Sequence, residues 1–356
     1  MCRCAGLEQR YGYGLTVLQR ERSVTWMLRV EAPSRLHLGQ LDLNGSLGRM
    51  YGGIAVALES PRIVILAEEH DELIVRGFDS KRVRAIAGDF LLKAGIGRGA
   101  RLEVEEAIPV HVGLGSSVQL RLAVGTALAR LYNMDFTIED IARITLQGFR
   151  TDACLGLFKY GGLTVASGIP KEFDMPDAEF YIPPVIFQHP FPDDWHFIVV
   201  TPETATEFRA RREHISLDVL PPIPPEDVGL ICRLLAMQLL PALLEESIDS
   251  FGQALTEIQW TIGKQFVSVQ GGLYSHPSAE GIIRQLLNSG ATGAGQSSWG
   301  PTVYGIVEGE QAALNSDAVL HKYLEESGIR ARVRCLRACN HGVLVQSRKG
   351  KTEEHG

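Results

Sequence analysis

The chain has 356 residues, a formal net charge of −7, and ordinary globular proportions of 45% hydrophobic and 22% charged residues. That composition excludes a wholly disordered or collagen-like chain, and the mildly acidic balance excludes a general nucleic-acid binder, which needs a basic face. Glycine is the outlier at 37 residues, about a tenth of the chain against a usual ~7%.

Residues 1–23 hold no compact apolar stretch followed by a small-residue cleavage site, so they read as a leader or flexible arm. Residues 24–32 predict a strand entering a glycine-rich segment, and Asn44-Gly45 is a strong turn signal. Strands follow over 54–58, 63–66 and 73–75, then a helix over 80–94 and an alternating, half-buried strand over 101–105. From Val118 to Leu131 the apolar residues fall mostly three or four apart, which predicts a helix with a broad apolar side. Thr137, with Asp140 three residues later, caps the next helix, which ends near Leu146. A short loop over 148–156 and a strand over 162–166 come next. Six prolines between 168 and 193 exclude a helix or central strand there and predict a long connection. A strand over 195–200 and the breaker Pro221–Pro225 lead into a largely helical stretch, 226–270. The remainder predicts a helix over 278–289, a loop over 290–301, a strand over 302–309, a helix over 310–327, and strands over 331–336 and 342–345. This order suggests a small α/β sandwich.

No stretch approaches the ~18 uninterrupted apolar residues of a membrane span. The nearest, Val228 to Leu244, is broken by Arg233, Gln238 and Pro241 and reads as one or two buried helices. A cytoplasmic protein with no membrane partner is expected. The six cysteines make no disulfide framework. Cys2 with Cys4, and Cys335 with Cys339, lack structural-zinc spacing, and buried thiols are the better reading.

Four segments carry groups suited to chemistry. Gly113, Leu114, Gly115, Ser116 and Ser117 stand immediately before a helix. The glycines allow close backbone approach, and the helix's first N–H groups with the serine hydroxyls would cradle phosphate. The segment is neither the P-loop nor the dinucleotide pattern, and a glycine turn with a serine-capped helix is the plainer alternative. Arg35 and His37 share one face of an extended strand, and with Asp42, Asn44 and Arg49 they make a candidate substrate site. The alternative there is an exposed strand face. Arg150 and Asp152 lie two apart in a glycine-bounded loop, as a polar ligand site or an ordinary surface ion pair. Gly293, Gly295, Gln296, Ser297 and Ser298 form an acid-free loop suited to oxyanions, and Trp299-Gly300-Pro301 is too stiff for a linker.

The segments PSRLHLG, PxxxGLGSS and TGAG, in that order, resemble the GHMP kinase superfamily of small-molecule kinases. RLHLGQLDLNGSLGRMYGGIAVALESP and GAGQSSWGPTVYGI bring roughly residues 25–345 closer to one branch. They are similar to the beta-ribofuranosylaminobenzene 5'-phosphate synthase family. The resemblance implies an α+β two-domain fold of the GHMP-kinase type. Its domains are a ribosomal-S5-like phosphate-binding domain over 24–200 and a ferredoxin-like domain over 201–346, with 347–356 a polar tail. It implies that phosphoribosyl pyrophosphate is condensed with 4-aminobenzoate or 4-hydroxybenzoate on the way to tetrahydromethanopterin. Carbon dioxide and pyrophosphate leave, and a bond forms from the ring to ribose C1. It further implies Mg²⁺, with Ser117 as a candidate ligand, and a homodimer. On this reading the Gly113–Ser117 loop steadies the leaving group. Arg35 or Arg49 holds the 5'-phosphate or the aromatic carboxylate, and Asp152, beside Arg150, faces C1.

The loop over 148–156 departs from the family, because its middle glycines have become Phe149, Thr151, Asp152 and Ala153. An Asp there also resembles the base of true GHMP kinases. Two alternatives therefore stand: an ATP-dependent small-molecule kinase, and a non-catalytic ligand-binding protein of the same fold.

Overall fold

The computed structural model describes residues 28–149, 151, 153–174, 180–203, 222–347 and 351–353. Two long antiparallel strands form its spine, β1 (Leu28–Asp42) and β2 (Arg49–His70). The expected separate strands between 54 and 66 are parts of β2, and β1 continues straight through the glycine-rich segment. Register shifts between Ala32 and Ser34 and between His37 and Gly39 interrupt the pairing; each extra residue bends and re-aims the strand locally.

The first sheet grows from this pair. Beyond β2 lie β4 (Gly99–Glu106) and then, parallel to it, β3 (Ile74–Gly77). The other half of β2 pairs with β5 (Leu163–Ala166), which carries β7 (Val185–His189) on its edge. The short β6 (Ile169–Pro170) closes on Arg49 and Met50. The proline-rich connection is thus partly ordered: edge strands tolerate proline where central ones do not. Helices α1 (Ser80–Lys93), α2 (Ser116–Leu131) and α3 (Ile138–Thr145) pack together beside this sheet. The Thr137–Asp140 capping box forms as the sequence predicts. Where a loop is expected, Cys154–Tyr160 forms a helix, α4. Gly156 allows it, since a Cβ there would come within 2.5 Å of Thr164 on β5.

The second sheet is antiparallel, in the order β11 (Ala331–Arg337), β8 (Trp195–Pro202), β10 (Val303–Glu308), β9 (Gly293–Gln296). Helices α7 (Ala279–Asn288) and α8 (Glu310–Glu326) cover it through Ile282, Leu286, Leu320 and Leu324. Two boundaries differ from expectation. The division at 200 falls inside β8, which belongs wholly to the second sheet. The last strands, β12 (Leu344–Ser347) and β13 (Lys351–Glu353), return to the first sheet, where β12 pairs with β1.

Between the sheets, against β1 and β9, runs α6 (Ile248–Gln270), and α5 (Pro225–Leu244) packs on it. By length and composition α5 is the one described helix apolar enough to cross a membrane. It is not the buried element expected: Ile231, Leu235, Leu239 and Leu243 pack inward, while Met237 and Leu244 are exposed. The main core is continuous across the two sheets. Phe191 touches Trp195, Phe197 and Phe251 at ring separations of 5.4, 5.1 and 5.6 Å, joining the first sheet's edge to β8 and α6.

Candidate functional site

Three segments far apart in sequence meet where β1 passes the start of α2. The Arg35 N–H donates to the Leu114 carbonyl at 3.1 Å. The His37 N–H donates to Ser297 Oγ at 2.9 Å, and that hydroxyl donates to the Gly113 carbonyl at 2.7 Å. Ser297 is fully buried and works as a staple between the glycine loop, β1 and the second sheet. Gly113 has φ +89°, and a Cβ there would sit 2.3 Å from the Ser297 carbonyl oxygen, so only glycine fits.

The start of α2 is open. Its N-cap is Gly115 in the left-handed conformation, with no side-chain cap and no acidic residue in the first turn. Neither Ser116 nor Ser117 caps it, which removes the plainer reading of this motif. The first N–H groups of a sixteen-residue helix therefore face outward with the positive end of its dipole. Arg35 lies against this end: a Cβ on Gly115 would come within 3.2 Å of Arg35 Nε. That Nε is buried and has no hydrogen-bond partner among the described residues. A buried guanidinium donor without an acceptor is costly, and an anion at this helix start would supply the acceptor.

His37 is buried on the same face of β1, while Leu36 and Leu38 point into the core. Burial, reinforced by the nearby Arg35 charge, holds its imidazole well below the ordinary histidine range. At neutral pH it is uncharged.

From His37 an open cavity extends between β1 and α6, with Tyr274 and Trp299 also in its wall; its empty space, counting that open to solvent, is roughly 520 Å³. No charged side chain lines it. Four glutamines do, Gln40, Gln259, Gln270 and Gln296. Two of them hold the frame: Gln259 Nε2 donates to the Leu38 carbonyl at 2.6 Å, and Gln296 Oε1 accepts the Ser275 N–H at 2.7 Å. Phe266 meets Trp299 edge-on, with ring centroids 5.0 Å apart.

Other expected site residues have structural partners. Asp42 Oδ1 accepts the N–H groups of Asn44 and Gly45 at 2.7 Å each, which makes the turn after β1. Asn44 Nδ2 donates to the Ile223 carbonyl. Arg49 donates to the Gly168 carbonyl at 2.9 Å and faces the Tyr181 ring. These three secure the β1–β2 turn and the segment after β5. Gly293 and Gly295 serve packing rather than phosphate: a Cβ would lie 2.5 Å from Gly252 in the first case and from the Gln259 side chain in the second. Within the expected loop, residues 293–296 form strand β9, packed on α6, while 297–301 remain a turn. Gln296 and Ser298 line the cavity. Arg150 and Asp152 lie outside the described residues. Among those described, no cluster of three His, Cys, Asp or Glu is placed to hold a metal. Cys154 and Cys339 are buried, but Cys232 and Cys335 are exposed, against expectation.

The sequence reading did not single out the face of α6. Gln259, Gly263, Phe266 and Gln270 recur at helical spacing and all line the cavity. Two amides and a glycine interrupting an apolar stripe were the available signal.

Comparison with known proteins gives the family and the fold. The family model for the GHMP kinases N terminal domain matches residues 81–157, and that for GHMP kinases C terminal matches 239–323. A beta-ribofuranosylphenol 5'-phosphate synthase of Archaeoglobus fulgidus is 35% identical over 325 residues, covering 90% of this chain and 100% of its own. Its counterpart in Methanocaldococcus jannaschii is 31% identical, covering 89% and 99%. Among solved structures, homoserine kinase from Cytophaga hutchinsonii superposes with a TM-score of 0.67 at 17% identity, covering 91% of this chain and 99% of its own. That likeness carries the fold alone.

Proposed function

The chain belongs to the beta-ribofuranosylphenol 5'-phosphate synthase family, and on that premise we propose that it joins phosphoribosyl pyrophosphate to 4-hydroxybenzoate or 4-aminobenzoate, releasing carbon dioxide and pyrophosphate. The carrying observation is the uncapped start of α2 beside the unpartnered, buried Arg35 Nε, two residues along β1 from His37, which lines an uncharged cavity.

The reaction needs charge stabilised at one end and room for a flat ring at the other. As the C1–oxygen bond breaks, negative charge grows on pyrophosphate. The first N–H groups of α2 and the Arg35 guanidinium are already oriented toward such charge and need no reorganisation. Positive charge grows on the ribose. Neutral His37 does not oppose it, whereas an imidazolium would. The carboxylate-bearing ring carbon attacks C1, and loss of carbon dioxide restores the aromatic ring. The relatives' printed name, a ribofuranosylphenol phosphate, favours 4-hydroxybenzoate as the acceptor.

Mg²⁺ is part of the proposal. With no protein cage among the described residues, its ligands would be mainly pyrophosphate oxygens, with the Ser117 hydroxyl beside them, a usual arrangement for this ion. It would supply charge neutralisation of the leaving group. A homodimer and a cytoplasmic site of action belong to the same reading; exposed Met237 and Leu244 on α5 support the former, and light scattering measures it.

A two-armed turnover assay tests the function. Stoichiometric carbon dioxide and pyrophosphate from phosphoribosyl pyrophosphate plus a benzoate is the expected outcome. ADP formed from ATP in the presence of an alcohol, with no products in the first arm, overturns it in favour of a kinase.

A further inference from the structure

The cavity has a feature that the reaction as stated does not use. Gln40 lines it, and Gln40 Oε1 is buried with no hydrogen-bond donor among the described residues. The other cavity amides that brace the frame, Gln259 and Gln296, have partners. An acceptor buried without a donor at the wall of a pocket without charges is costly, and a turn of the Gln40 amide toward the pocket lets a bound molecule bring it one.

Strand β1 sets the order of groups along the site. Arg35 lies against the glycine loop, His37 follows at the cavity mouth, and Gln40 comes five residues beyond Arg35. At ~3.3 Å per residue this spans roughly 15 Å, enough for a ribose and one six-membered ring end to end. The carboxylate-bearing carbon of the acceptor must meet ribose C1, so that end of the ring points toward Arg35. The substituent opposite it then points along β1 toward Gln40. Phe266 and Trp299 supply aromatic walls for the ring between.

We propose that this cavity is the acceptor subsite, and that Gln40 Oε1 selects benzoates bearing a hydrogen-bond donor para to the carboxylate. This rests on the synthase reading. The chemistry balances without any added reagent. The ring carbon bonds to C1 as the C1–oxygen pair leaves with pyrophosphate. The carbon–carboxylate pair then returns to the ring as carbon dioxide departs. In between, the para hydroxyl lends electron density to the ring, and its O–H becomes a stronger donor. Gln40 accepts that hydrogen bond, which tightens when the ring is positive, while the proton stays with the substrate overall.

The test compares equilibrium binding and turnover of 4-hydroxybenzoate and 4-methoxybenzoate, in the wild type and in Gln40→Met. The wild type is expected to bind the methoxy analogue about tenfold more weakly, the effect of one hydrogen bond. In Q40M that ratio should fall to near one. The KM for 4-hydroxybenzoate should rise about tenfold, with the KM for phosphoribosyl pyrophosphate within about twofold of wild type. Phe266→Leu should weaken both benzoates alike and leave their ratio unchanged. A wild-type ratio near one, or a ratio unaltered in a folded Q40M, overturns the assignment of Gln40 while normal turnover leaves the synthase reading standing. Should Q40M fail to fold, the wild-type ratio and the F266L result decide the matter. Absence of carbon dioxide and pyrophosphate from the wild type overturns the synthase reading, and this inference with it.

Discussion

At the scale of single residues, the site depends on how burial treats two basic groups on one strand. Arg35 lacks a protein acceptor at Nε; His37, two residues away, is driven neutral by burial and by that same arginine. The stability consequence has a definite sign. Because the folded His37 pKa lies below the unfolded value near 6.5, the unfolded chain binds the extra proton at acid pH. Its contribution is intact above about pH 6.5 and is lost as pH falls below that, by at most about 1.4 kcal/mol per unit. Denaturant titrations from pH 7.5 to 5 should therefore show a steeper fall for wild type than for His37→Gln; parallel curves would refute this. Gly113→Ala should destabilise by roughly 1–3 kcal/mol through its left-handed backbone alone, and should cost activity by displacing the Ser297 carbonyl. Urea midpoints and kcat measure both effects. That Arg35 and His37 share a face was legible from strand alternation. Asp42, whose partners are Asn44 and Gly45, belongs to the turn that Asn44-Gly45 signals. That Asn44 and Arg49 are taken up by structural partners was not legible, because Ile223, Ser167 and Gly168 lie more than a hundred positions away in sequence.

At the scale of elements, local signals succeeded where the cause is local. The Thr137–Asp140 box, a pattern of two residues, formed as read. Thr137→Ala should cost about 1 kcal/mol and leave kcat unchanged, since the cap lies outside the site; a melting curve and one assay suffice. Glycine-rich segments misled the reading, because glycine signals either a turn or a close approach and the sequence does not say which. In β9 it is close approach: a Cβ on Gly252 of α6 would lie 2.4 Å from the Thr292 backbone. Gly252→Ala should lower stability by about 1–3 kcal/mol by overpacking and loosen Gln259 and Gln296 together. A lowered melting temperature with weaker acceptor binding is the expected result, and an unchanged protein would show that α6 and β9 can separate freely.

At the scale of the whole molecule, the proposed anion site and the cavity are both built between the two sheets. The first sheet contributes β1 and the glycine loop, the second contributes β9 and the Trp299 turn, and α6 lies across both. The core does not divide at this seam, so the chain should unfold in one transition. Pyrophosphate at a hundred times its Kd should raise the stability of that transition by about 2.7 kcal/mol. Calorimetry that resolves two peaks, with only one responding to pyrophosphate, would contradict this arrangement.

By itself the amino-acid sequence determined the family, the α+β architecture, the helix behind the glycine loop and the pairing of Arg35 with His37 on one face. Each of these is written in short-range periodicity or in motifs that survive as contiguous strings. Only the tertiary structure decided that β12 returns to β1, that Gly293 and Gly295 pack while Gly113 and Gly115 shape a site, and that α6 supplies the cavity's wall. Those outcomes depend on contacts between residues well separated in sequence, from Gln259 against Gly295 to Leu344 against Glu31. A side chain's role there is set by whether a remote neighbour satisfies it, as for Gln259 and Gln296, or leaves it open, as for Gln40 and Arg35.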